Sequence, residues 1–375
     1  MDGASLRSVK LFEALYQNFS VDVITYKNNQ NFDFVKRCFP KSKFYFFSNT
    51  SQQKGKLTYF GRLMSKQLPG FASHDPKSIA NDIDDLIIEN GHYDIIYFAT
   101  QLMGQAKIWM KSTEYSIIDL YDIYSTYSES KWTGLKLYQP FYWLFLLESI
   151  RVKRYEKKII NLFNTILVTC KENLNAINSM EPIGNVIEVS NGTNIPNNVN
   201  IKNGDSILMV ANFEYAGNFE GFKWFFDFVW PFLKSNEKYR LTLVGKYPEK
   251  LARLVNGDLQ ISIEGLVPHL DSYYENSKCV IIPLFNDGGT KTKLIEAIAF
   301  GVPIVATKIG AKGFENTKTI SISDHPEEFA KSIQKIFENK YPTKELLQGR
   351  NKIRNQYSWD IIGDELNRII SRQVG

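Results

Sequence analysis

Along the second half of the chain, short runs of β-branched and other apolar residues alternate with amphipathic stretches of helical length. This is the pattern of βαβ units around a parallel sheet, whose strands read as continuous apolar runs because both faces are covered. Strands are predicted at 207–210, 241–244, 261–264, 280–282, 304–306 and 319–322, with helices between them such as 222–233 and 291–300. Turn residues mark the joins at Gly245, Gly265 and Asp287-Gly288-Gly289. The first half repeats the theme, with strands at 21–26, 44–47, 95–98, 117–120, 166–169 and 186–189 and a helix over 78–89. The turn-rich Asn191-Gly192-Thr193-Asn194-Ile195-Pro196 and the polar stretch 198–204 then interrupt the pattern. Two α/β domains follow from this, 1–195 and 196–355, with a closing segment 356–375. In that segment Ser358 is suited to cap a helix whose apolar residues Trp359, Ile362, Leu366 and Ile369 recur at intervals of 3, 4 and 3.

A doubly wound sheet normally opens with a buried apolar strand, and a glycine-containing loop leads from it into the first helix. Here the loop is Asp2-Gly3-Ala4 and the helix spans 5–18, with Leu11 and Leu15 on one side, but only Met1 precedes them. The first domain is therefore expected to lack its first strand, leaving two neighbours about 10 Å apart with unpaired backbone groups.

Composition narrows the class. With 375 residues, 43% hydrophobic and 23% charged, and with 26 Phe, 20 Tyr and 6 Trp, the chain can build large cores and is not a disordered protein. The net charge of +5, from 45 basic and 40 acidic residues, is too balanced for a nucleic-acid-binding surface. One segment departs from that balance: residues 131–158 hold Lys131, Lys136, Arg151, Lys153, Arg154, Lys157 and Lys158 against only Glu148 and Glu156. The cysteines Cys38, Cys170 and Cys279 are far apart, which argues against a disulfide framework or zinc site and for a reducing, cytoplasmic setting. The start has no basic head followed by an apolar run, and the most apolar stretch, 141–147, lies between Pro140 and Glu148, so no membrane span is expected.

The most informative stretch is 283–313, PLFNDGGTKTKLIEAIAFGVPIVATKIGAKG. A loop with two glycines runs into a helix at about Thr290, and free N–H groups at a helix N-terminus suit a phosphate or diphosphate. Lys291 and Lys293 stand in the first turn, where a cation opposes the helix dipole by about 0.3 to 1 kcal/mol, so their presence suggests an anionic ligand. Glu296, three residues after Lys293, shares its face and is suited to accept hydrogen bonds from ribose hydroxyls. Spacing alone leaves open that both lysines are solvated and that Glu296 pairs with one of them.

This stretch resembles the group 1 (family 4) retaining glycosyltransferases. The likeness extends to Val210-Ala211-Asn212, Asn218, Trp224-Phe225, Trp230-Pro231, LVG at 243–245 and EGLVPHLDSYY at 264–274. In the first half it includes DGASLRS at 2–8, IDLYDIYS at 118–125, Tyr155-Glu156 and SNGTN at 190–194. The resemblance implies the GT-B fold, two Rossmann-like doubly wound domains facing a central cleft. It also implies that the second domain binds a nucleotide-sugar donor while the first, lacking its opening strand here, holds the acceptor. It implies that Glu296 binds the donor ribose and that Lys293, with the N–H groups of Gly289 and Thr290, contacts the diphosphate. Gly288, Lys291 and Lys246 fall around the same phosphates, and Gly265 and Val267 border the base. In the first domain it points to Gly3 and Arg7 near the cleft and to Gln101 and Asp122 as catalytic residues after their strands, alongside Lys293 from the second. The closing helix is expected to return to the first domain. One departure is that Gly288 stands where the wider family often has the first of two glutamates, with Asp287 one position early.

Retaining transfer stabilises a departing diphosphate and a developing oxocarbenium ion, and lysines with a helix N-terminus can supply the former without a metal. His74, His92, His269 and His325 are scattered without ligand spacing, so neither a metal nor a resident cofactor is expected. The co-substrate implied is a nucleotide sugar, a UDP-sugar first. Asp122 either orients an acceptor hydroxyl or caps a turn. Asp82, Asp84 and Asp85 read as solvated charge on a surface helix. The aromatic and basic segment 131–158 either meets an anionic membrane surface, which would be useful with a lipid-linked acceptor, or packs as a long helix with its charges in water. The reading is thus a cytoplasmic, metal-independent transferase, peripheral on the inner face of the membrane, moving a sugar to a cell-surface glycan or lipid-linked acceptor. Its alternative is a catalytically silent scaffold or partner subunit with the same fold.

Overall fold

The computed structural model describes residues 3–25, 36–47, 75–133, 136–196, 204–285, 292–338 and 343–374. Contacts divide the chain into two compact units, 1–190 with 362–375, and 191–361.

The second unit is built on a six-stranded parallel sheet. Its strands are β7 (Ser206–Val210), β8 (Arg240–Val244), β9 (Ile261–Gly265), β10 (Ser277–Ile282), β11 (Ile304–Ala306) and β12 (Ile320–Ile322), in the order β12-β11-β10-β7-β8-β9. The apolar runs that predict these strands are continuous because both faces are covered. Ile207, Met209, Leu241, Leu243 and Ile281 pack with Phe222, Phe225, Trp230 and Phe329 on one side. Their sequence neighbours Leu208, Val244, Val280 and Ile282 pack with Leu294, Ile295 and Ile298 on the other. The single helix expected over 222–233 is instead three pieces: an α-helix Ala216–Trp224, a π-helical turn Phe225–Val229 and a 3-10 turn Trp230–Phe232. Pro231 has no N–H to donate back along the helix, so the α-helical ladder cannot run through it. Trp230 is fixed in place by donation from its indole Nε1 to Asp258 Oδ2 at 2.8 Å.

Among the described residues the first unit holds two separate parallel sheets. One pairs β1 (Val23–Thr25) with β2 (Phe44–Phe46), and the other runs β3 (Ile95–Phe98), β4 (Tyr115–Leu120), β5 (Thr165–Val168), β6 (Asn185–Glu188). Ile24 and Phe47 join the core formed by Phe98, Ile118, Leu120, Ile166 and Val168, so one core serves both sheets. Helix Gly3–Asn18 buries Leu11 and Leu15. The closing helix Trp359–Val374 starts on a Ser358 hydroxyl that accepts from Ile361 N–H at 3.4 Å, and from Ile362 onward it belongs to this unit. It passes so close to the first helix that a Cβ at Gly363 would meet Ala14 Cβ at 2.7 Å. Asp84 corrects the expectation of solvated charge. It is buried on helix Pro76–Asn90 and accepts from the backbone N–H groups of Lys111 and Ser112, at 2.8 and 3.2 Å.

Candidate functional site

The strand order sets where a ligand can sit. From β7 the chain winds outward through β8 and β9, then returns to the far side of β7 and winds the other way through β10, β11 and β12. The point of reversal lies between β7 and β10, and loops leaving the carboxyl ends of strands diverge there to leave a crevice.

Side chains from both loops meet at this point. After β10 comes helix Thr292–Ala299, whose Leu294, Ile295, Ala297, Ile298 and Ala299 are buried and whose Lys293 and Glu296 are half-buried on another face. After β7 comes helix Ala216–Trp224 with Asn218. The Lys293 Nζ donates to Asn218 Oδ1 at 2.7 Å, and Asn218 Nδ2 donates to Asn212 O at 2.8 Å, so one chain of hydrogen bonds spans the switch point. Gly221 makes this approach feasible. A Cβ there would lie 1.9 Å from Pro283 O, so any other residue would push the Asn218 helix off the loop that leads to Lys293.

Glu296 is oriented by a residue that the sequence reading left without a role. Fully buried Tyr274, stacked on Phe300 with ring centroids 4.6 Å apart, donates its hydroxyl to Glu296 Oε2 at 3.1 Å. Burial pushes the Glu296 carboxyl above the ordinary range, with Tyr274 and Lys293 acting in the opposite direction. The same burial, with Glu296 beside it, pushes the Tyr274 hydroxyl well up, so it stays a donor. The site therefore holds a cation near a carboxylate that has fewer donors than its charge calls for.

Other expected donor residues stand along the same rim. Gly245 has φ of +128° and a Cβ there would lie 2.0 Å from Ala211 O, so the loop after β8 is pressed against the loop after β7. Next to it, exposed Lys246 pairs with Glu214 at 2.7 Å, bridging those two loops. Gly265, with φ of +68°, accepts from Gly245 N–H at 2.7 Å, and Val267 packs against the core below. Gly288, Gly289, Thr290 and Lys291 lie outside the described residues.

In the first unit, Gln101 and Asp122 follow the carboxyl ends of the adjacent strands β3 and β4. Gln101 is buried and its Nε2 donates to Glu156 Oε1 at 2.9 Å, while its Oε1 has no hydrogen-bond partner among the described residues. Glu156, buried on helix Pro140–Ile160, also accepts from the backbone N–H groups of Tyr124 and Ser125, at 3.0 and 3.1 Å. It thereby fixes the turn that carries Asp122. Burial pushes the Glu156 carboxyl up, against the effect of those hydrogen bonds, and desolvation raises Asp122 as well. Gly3 opens the first helix. Arg7, expected as a cleft residue, is 1% exposed and internal: its Nε and Nη2 donate to Asp119 Oδ2 and Oδ1 at 2.8 and 2.9 Å, and its Nη1 to Ser190 O at 3.0 Å. Tyr97 adds a third donor to Asp119 at 3.1 Å. Among the described residues no group of three or more His, Cys, Asp or Glu side chains is placed to hold a metal ion.

Residues 204–339 match a family described as Glycosyl transferases group 1. No curated protein matches the chain in sequence. Among solved structures, the chain is similar to sucrose-phosphate synthase from Thermosynechococcus elongatus (TM-score 0.70, 17% identity, 97% of this chain and 91% of that one). It is similar to HepE from Anabaena in complex with UDP-glucose (0.67, 13%, 99% and 96%). A TarM variant from S. aureus, solved with fondaparinux, α-GlcNAc-glycerol and UDP, is also similar (0.68, 10%, 98% and 95%).

Proposed function

We propose that this chain, whose residues 204–339 match the group 1 glycosyl transferases and whose fold is similar to that of solved GT-B structures, is a retaining transferase that moves a sugar from a nucleoside-diphosphate sugar, UDP-sugar first, to a glycan or lipid-linked acceptor. The observation that carries this reading is the pair Lys293 and Glu296 on the helix at the switch point, each with its own partner, Asn218 and Tyr274. As the bond between sugar and phosphate breaks, its electrons leave with the diphosphate. A positive charge already fixed beside the phosphates favours that departure without reorganising at the moment of reaction. Glu296 accepts from the ribose hydroxyls, which provide the donors its half-buried carboxylate lacks. UDP in the complexes of HepE and TarM supports uridine as the base. Asp122 and Gln101 serve the acceptor side: Asp122, on the turn ahead of the Tyr124 and Ser125 N–H groups that bond Glu156, orients the incoming hydroxyl, and Gln101, bonded to Glu156 directly, holds the loop after β3.

The test is turnover by purified chain of UDP-, GDP- and dTDP-sugars, read by NMR at the anomeric carbon of product or of released sugar. Turnover of the UDP-sugar with the donor configuration kept is expected. Tight binding of all three with no turnover would overturn the transferase reading in favour of a binding subunit, and inverted product would overturn retention.

A further inference from the structure

Helix Pro140–Ile160 is the longest described helix of the first unit and carries apolar side chains in an unusual place. Ser149, Val152, Glu156, Ile159 and Ile160 are buried and mark the inward face. On the outward face, Trp143, Leu147, Ile150 and Arg154 follow one another at helical spacing and all are exposed, Trp143 and Leu147 by 57 and 58%. Leu137 and Tyr138, just before the helix, are exposed as well. A soluble helix normally reverses this pattern, with apolar side chains inward.

The charges on this helix show what covers that face. Its only two acids are withdrawn from it: Glu148 accepts two hydrogen bonds from Arg151, at 3.0 and 2.8 Å, and Glu156 is buried on the Tyr124 and Ser125 N–H groups. The cations remain outside. Lys153, Arg154 and Lys158 are exposed and make no ion pair among the described residues. Apolar and aromatic side chains therefore occupy the first half of the outward face and unopposed cations the second, with Trp143 and Arg154 about 16 Å apart along the axis. A protein partner would need an acidic surface abutting an apolar one at that offset. An anionic bilayer supplies both, acyl chains for Trp143, Leu147 and Ile150 and phosphates for the cations, and Trp and Tyr are at home at its interface. Among the described residues no helix is long and apolar enough to cross a membrane, so contact at this face is lateral.

We infer that the outward face of helix Pro140–Ile160 docks the protein on an anionic membrane surface. The apolar residues enter the headgroup boundary, and Lys153, Arg154 and Lys158 stay among the phosphates. This goes beyond the donor chemistry and does not depend on it.

The experiment is sedimentation of the full chain with phosphatidylcholine vesicles, with and without about 30 mol% phosphatidylserine. The chain is expected to pellet with the anionic vesicles and not the neutral ones, and less at high salt. Replacing Lys153, Arg154 and Lys158 together by Ala should weaken partitioning roughly 100-fold, about fivefold per cation. Trp143→Ser with Leu147→Ser should also release the chain, while the melting temperature of both variants stays at the parent value because the side chains are exposed. Failure of the parent chain to pellet with anionic vesicles, or equal pelleting of the variants, overturns the proposal. So does a parent dimer that dissociates when Trp143 and Leu147 are replaced, since the face would then belong to self-association.

Discussion

Replacing Glu296 by Gln keeps the side-chain volume and an acceptor for Tyr274, and removes one negative charge. Burial is the largest influence on this carboxyl and outweighs the opposing help of Tyr274 and Lys293, so its ionised form is less favourable in the folded chain than in the unfolded one. That penalty is absent where the group is protonated in both states. It grows as pH rises past the ordinary carboxylate range and is complete above the raised folded value. The Gln chain should therefore melt at a higher temperature than the parent at about pH 8, with the difference vanishing near pH 4. Nucleotide affinity should move the other way. A hydrogen bond to a charged group contributes about 1.5–3 kcal/mol, so loss of the ribose contact weakens binding roughly 10- to 100-fold. Thermal melts across pH without ligand, and calorimetric titration with UDP-glucose, separate the two effects. A nucleotide sugar is the right probe because its diesterified phosphates do not titrate near neutrality. Parent affinity should fall as pH drops through the raised Glu296 value, and Gln-chain affinity should stay flat. A Gln chain that is less stable at about pH 8, or that binds UDP-glucose as the parent does, would refute the reasoning.

Tyr274→Phe keeps the stack on Phe300 and removes a hydrogen bond that lowers the Glu296 value, so the pH at which donor affinity falls should move upward in the same titration. Arg7→Leu leaves Asp119 buried with Tyr97 as its remaining side-chain donor, and should destabilise the first unit by about 3–5 kcal/mol in urea denaturation. Gly245→Ala forces a Cβ against Ala211 O at a backbone angle that favours glycine, so a loss of about 1–3 kcal/mol and a shifted Lys246 loop are expected, read from the denaturation midpoint and from weaker donor binding.

The strands were legible because a parallel sheet covered on both faces leaves a run such as Cys279, Val280, Ile281 and Ile282 with every residue buried. Lys293 and Glu296 could be singled out because both lie on one short helix after a glycine-rich loop, so local spacing sufficed. Their partners were less accessible: Asn218 is 75 residues from Lys293 and reaches it only because β7 pairs with β10, and Tyr274 is 22 from Glu296, on the short helix before β10 while Glu296 is on the helix after it. Arg7 illustrates the reverse problem, because a conspicuous cation near the start gives no sign that its carboxylate is 112 residues away and buried. Glu156 did leave a signal. It lies four residues after Val152 and three before Ile159, on the buried stripe of its helix, and an acid in such a position must be supplied with donors. The break in the helix at Pro231 was also readable, whereas the π-helical turn over Phe225–Val229 left no sign in the local residue pattern.

The most direct test of the central claim is a crystal structure of the chain with UDP bound. The account predicts the diphosphate within hydrogen-bonding reach of Lys293 Nζ and the ribose hydroxyls on the Glu296 carboxylate. A nucleotide seated elsewhere, with Lys293 still on Asn218 and Glu296 still on Tyr274 alone, would contradict it.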